Sequence, residues 1–85
     1  MYALERTVDA FKRFGVKKTK GYELIEAGLF PAPIKPNERP SRVPSQEVDA
    51  LIAATISGVG EEYIIKLILG FRNQRAVLAT KQEVL

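Results

Sequence analysis

Three lysines crowd the segment Lys17-Lys18-Thr19-Lys20, and a second group of cations, Lys35, Arg39 and Arg42, follows with Ser41 among them. Ammonium, guanidinium and hydroxyl groups are the side chains that bond phosphate oxygens and the edges of bases. Their placement is uneven along the chain. Between Lys12 and Arg42 eight basic residues stand against three acidic ones, while the remainder holds five basic against seven acidic, for a net charge of +3. Such asymmetry implies one face suited to a polyanion. The acid pairs Glu23 with Glu26 and Glu61 with Glu62 have no histidine or cysteine to work with, since the chain contains neither. They read as solvated helix faces rather than as general acid and base, so no enzyme activity, cofactor or small-molecule substrate is expected. The same absence excludes disulfides and the usual zinc ligand sets, and no metal is expected.

The elements that must position these cations follow from the punctuation. Thr7 as N-cap, the apolar Val8, Phe11 and Phe14, and the stop at Gly15 predict a first helix over Thr7 to Phe14. Tyr22, Leu24, Ile25 and Leu29 predict a second helix from Lys18 to Ala27, with Gly28 as its cap. Only Gly15 to Lys18 separates the two, the short connection of a helix-turn-helix. All five prolines fall between Pro31 and Pro44. That density forbids a helix and predicts a two-stranded wing, Ile34-Lys35 against Arg42-Val43, around a turn near Pro36 to Pro40. A third helix is expected from Pro44 or Ser45, burying Val48, Leu51, Ile52 and Ile56, until Ser57-Gly58-Val59-Gly60 ends it. A fourth runs from about Glu61 to Ala79, acidic at its start and basic nearer its end, with Thr80 to Leu85 expected to fray. The expected architecture is mainly α, a winged helix-turn-helix over residues 1–57. Residues 58–85 form a helical extension that packs on it or mediates dimerisation.

The residues Gly15, Val16, Lys17, Lys18, Thr19 and Tyr22, then Leu24-Ile25, Gly28, Phe30-Pro31 and Pro33, follow a pattern that ends in Gly-x-Phe-Pro-x-Pro. With Glu47-Val48-Asp49-Ala50 after the wing, about half the chain resembles the AlpA-type prophage regulators, relatives of the excisionase and MerR-like winged-helix proteins. Lys17 stands where the family usually has serine, Lys20-Gly21 replaces a Thr-Leu pair, and Val43 and Leu51 occupy positions where tryptophan is common. The resemblance implies a DNA-binding regulator or excision factor of a mobile element, with double-stranded DNA as partner.

Within that expectation, Lys17, Lys18, Thr19 and Lys20 form the first turn of a recognition helix in the major groove. Lysines there oppose the helix dipole by about 0.3–1 kcal/mol each, which a polyanionic partner explains. Gly21 either permits a close approach to DNA or is a weak helix residue costing ~1 kcal/mol. Tyr22 packs its ring and leaves its hydroxyl free for a phosphate. Phe30 belongs to the core. Lys35, Arg39, Ser41 and Arg42 lie along the backbone or the minor groove. Lys12 and Arg13 either touch phosphates or answer the dipole of the first helix. The fourth helix is apolar over more than one face, so Ile65, Leu69 and Arg72 are expected on a homodimer surface. The alternative is a protein-interaction module that holds a partner regulator there. The apolar runs fall short of the ~20 residues of a membrane span, and no signal-peptide apolar stretch opens the chain, so a cytoplasmic, nucleoid-associated protein is expected.

Overall fold

The computed structural model describes residues 2–84, with side chains from Tyr2 through Thr80. It is mainly helical: β1 (Leu4–Arg6), α1 (Thr7–Phe14), α2 (Lys18–Glu26), β2 (Arg42–Pro44), α3 (Ser45–Ile56) and α4 (Glu61–Val84). The arrangement of four helices and one small antiparallel sheet is compatible with a winged helical fold. Gly15, at φ 87°, ends α1 in the left-handed conformation, and its N–H and that of Val16 return to the Phe11 carbonyl. That cap reverses the chain in three residues and sets α2 against α1.

The sheet departs from expectation in its pairing. Arg42–Pro44 is a strand, but its partner is Leu4–Arg6, with Leu4 opposite Pro44, Glu5 opposite Val43 and Arg6 opposite Arg42. Ile34-Lys35 is not a strand; the Ile34 N–H donates one bond, 2.9 Å, to the Arg42 carbonyl and the ladder goes no further. Proline chemistry explains why. With Ile34 facing Arg42, the next ladder position faces Pro36 with Pro40, neither of which has an N–H to donate. Residues 35–41 therefore form a loop closed at its base, containing a Lys35–Glu38 ion pair of 3.6 Å and a cis Arg39–Pro40 peptide.

The core is built from Ala10 and Phe11 of α1, Phe30, Val43 of β2, Val48 and Leu51 of α3, and Ile64, Ile68 and Phe71 of α4, with the half-buried Tyr22, Leu24 and Ile25 of α2 packed against it. Phe30 joins the others edge to face, its ring 5.2 Å from Phe11 and 5.6 Å from Phe14. Ile56, by contrast, is 81% exposed rather than buried. It is the last residue of α3 and, five residues past Leu51, stands about 140° around the helix from that buried side chain. Thr7 is not a capping residue either; Arg6 occupies that position, and Thr7 is buried against Ser41. Helix α4 continues to Val84, past its expected end at Ala79. Of the segment expected to fray, the side chains after Thr80 and all of Leu85 lie outside the described residues.

A methyl group on Gly70, in the body of α4, would meet nothing within 4 Å. Glycine inside a helix costs roughly 0.5–1 kcal/mol relative to alanine. Gly70→Ala is thus expected to raise the urea midpoint of unfolding, by a stability gain of about that size; an unchanged or lower midpoint would show that the position is occupied.

Candidate nucleic-acid interface

The N-terminus of α2 and the 35–41 loop face each other across an open cleft, lined by Arg6, Val8, Lys18, Tyr22, Pro36, Arg39, Pro40 and Ser41. Lys18 and Tyr22 are one helical turn apart and so share a face of α2. Tyr22 fixes that face: its ring meets Phe11 edge to face at 5.1 Å and 84°. Opposite them, the Ile34–Arg42 bond closes the base of the loop, and Ser41 anchors it to α1. The Ser41 hydroxyl donates to Thr7 Oγ1 at 2.9 Å, while the Thr7 N–H donates to the Ser41 carbonyl, also at 2.9 Å.

The electrostatics of the cleft are one-sided. Arg6, Lys18 and Arg39 are exposed, and none of them has an ion-pair partner among the described residues. No carboxylate among the described residues lines the cleft. Three uncompensated cations around one concavity concentrate positive potential there, and the apolar side chains of Pro36, Pro40 and Val8 between them add no compensating charge. Chemically the site can hold anionic oxygens, and the flat ring of Tyr22 at its edge can stack or bond through a hydroxyl.

Of the residues singled out in the sequence, the structure thus gathers Lys18, Tyr22, Arg39 and Ser41. Ser41 differs from the other three in being only 8% exposed, with its hydroxyl engaged by Thr7, so it positions the loop rather than offering a contact. Thr19 and Lys20 are exposed on the first turn of α2, while Lys17, expected in that turn, is the extended residue that precedes the helix; none of the three lines the cleft. Lys35 and Arg42 lie on the far side of the loop, in a second concavity that also holds Glu38. Arg6 is the addition. It sits outside the basic stretch of the sequence, and only the pairing of β1 with β2 carries it to the cleft.

Arg13 is removed from the set of free cations. Its Nη2 and Nε bond the two carboxylate oxygens of Glu5 at 2.7 and 3.1 Å, and its Nη1 bonds Asp49 Oδ1 at 2.8 Å. These hydrogen bonds hold its guanidinium ionised even more firmly than usual, Glu5 contributing most. Arg13 is a brace between β1, α1 and α3. Gly21 is likewise an internal packing residue: it is buried, and a methyl there would fall 2.5 Å from Phe11 Cδ1. It faces the core instead of a ligand.

Ile65, Leu69 and Arg72 are all exposed on α4, away from the cleft-lining residues. No helix among the described residues is long and apolar enough to cross a membrane, and no cluster among them has the acid, histidine or cysteine ligands for a metal. Comparison of the chain with models of known protein families, with curated proteins and with solved structures yields no match.

Proposed function

We propose that this chain is a sequence-specific DNA-binding protein rather than an enzyme, acting without a cofactor at the nucleoid. In this reading it is a transcription regulator or excision factor of a prophage or other mobile element. The α1–α2 unit acts as a helix-turn-helix with α2 in the major groove, and the 35–41 loop serves as the wing against the backbone or minor groove. One observation carries the reading: Arg6, Lys18 and Arg39 converge on a cleft that no carboxylate among the described residues lines. A ridge of phosphates between major and minor groove matches that pattern of charge, because a continuous polyanion engages several cations at once. Lys17, Thr19 and Lys20, beside the cleft at the start of α2, then meet base edges, and Lys35 and Arg42, across the loop, meet the flanking backbone. The mobile-element assignment rests on the resemblance at Tyr22 to Lys35.

Binding to duplex DNA, followed by fluorescence anisotropy over a series of salt concentrations, tests it. Each phosphate contact contributes about 0.9 to the slope of log K against log salt. Replacing Arg6, Lys18 and Arg39 together by alanine is expected to flatten that slope by roughly 2.7. Arg13→Ala should leave it unchanged, because that guanidinium is already occupied by Glu5 and Asp49. Salt-independent binding, or a triple variant with the wild-type slope, would overturn the proposal.

A further inference from the structure

Helix α4 buries Ile64, Ile68 and Phe71 in the core and leaves bare the side roughly 110° around the helix from them. Along that bare side runs a single stripe: Glu62, Ile65, Leu69 and Arg72, spaced three, four and three residues apart. At 100° per residue these four fall on one face. Ile65 is 38% and Leu69 51% exposed, and neither Glu62 nor Arg72 has an ion-pair partner among the described residues. The order is acid, apolar, apolar, base. Reversed, it becomes its own electrostatic complement, and the spacing is symmetric about the level of residue 67.

We propose that this stripe is the contact between two copies of the chain, with their α4 helices antiparallel about a two-fold axis at that level. Ile65 of one copy then packs on Leu69 of the other, and Glu62 of each faces Arg72 of its mate. Two-fold contacts are isologous, so every pairing occurs twice and the charges close without an excess. An unrelated partner would need no such internal symmetry, which is why a second copy is the occupant that fits. Two apolar positions and one ion pair per half make a small contact, at the low end of stable interfaces, so association is expected to be weak and concentration-dependent. The proposal stands independently of DNA binding.

Sedimentation equilibrium over a concentration series reads it directly. The wild type is expected to rise with concentration from 9.5 kDa toward twice that mass. Ile65→Glu with Leu69→Glu should hold the mass at monomer, with the helical circular-dichroism spectrum retained because both residues are exposed. Glu62→Arg alone and Arg72→Glu alone should each weaken association by tenfold or so, like charges then facing each other twice. The decisive variant combines the two swaps and should restore wild-type association. A wild type that stays monomeric throughout, or a double swap no better than the singles, would refute the antiparallel pairing.

Discussion

Arg75→Ala is expected to lower the stability of the fold by about 2–3 kcal/mol, below the figure for a wholly buried pair because the Arg75 side chain keeps some solvent contact. The Arg75 guanidinium bonds both carboxylate oxygens of Glu47 and donates a third bond, 2.9 Å, to the Ala32 carbonyl. Glu47 is 7% exposed, so truncating Arg75 strands a carboxylate that has little water to turn to. A lone buried charge, rather than the lost pair as such, is what costs so much. Urea unfolding of two variants separates the two. Glu47→Met with Arg75→Met should recover most of the loss suffered by Arg75→Ala, whereas simple loss of contacts would leave the double variant at least as unstable as the single. The consequence for the cleft is positional. Ala32 lies just ahead of the 35–41 loop, so Arg75 ties the loop that carries Arg39 to α3 and α4, and Arg75→Ala should increase hydrogen exchange across residues 34–42.

The elements that were legible in the sequence are those with local causes. Gly15, Gly28 and the Ser57-Gly58 turn stop helices by backbone conformation alone, and the α1 boundaries, Thr7–Phe14, follow the sequence reading. Lys18 and Tyr22 reach one cleft because helical spacing puts them on one face. What escaped is what depends on distant partners. A three-residue strand such as Leu4–Arg6 is too short to show alternation, and nothing local signals that it pairs across 38 residues of chain. Arg6 arrives at the cleft only through that pairing. The expected hairpin failed for a reason already present in the sequence, since Pro36 and Pro40 fall opposite each other once Ile34 meets Arg42. Arg13 looked like any cation at a helix C-terminus, and only the packing of β1 and α3 around it supplies Glu5 and Asp49.

Gly21→Ala is expected to destabilise the protein by about 1–2 kcal/mol, even though alanine is the better helix former by ~1 kcal/mol. The added methyl would lie 2.5 Å from Phe11 Cδ1 and 2.6 Å from Cγ and Cε1, well inside van der Waals contact. Phe11 cannot retreat. It is 1% exposed and held edge to face by Tyr22 at 5.1 Å and Phe30 at 5.2 Å, so relief has to come from moving α2 away from α1. That movement would carry Lys18 and Tyr22 out of register with Arg39, which makes Gly21 the residue that sets the width of the cleft. Overpacking outweighs propensity here, the reverse of Gly70, where the same substitution meets open space. Because the strain arises between Gly21 and Phe11, the two sites should be coupled: Phe11→Leu with Gly21→Ala should cost less than the sum of the singles. Thermal or urea unfolding in the absence of DNA measures all three. If Gly21→Ala is as stable as the wild type yet loses affinity for DNA, the glycine serves a close approach of the duplex and the packing explanation fails.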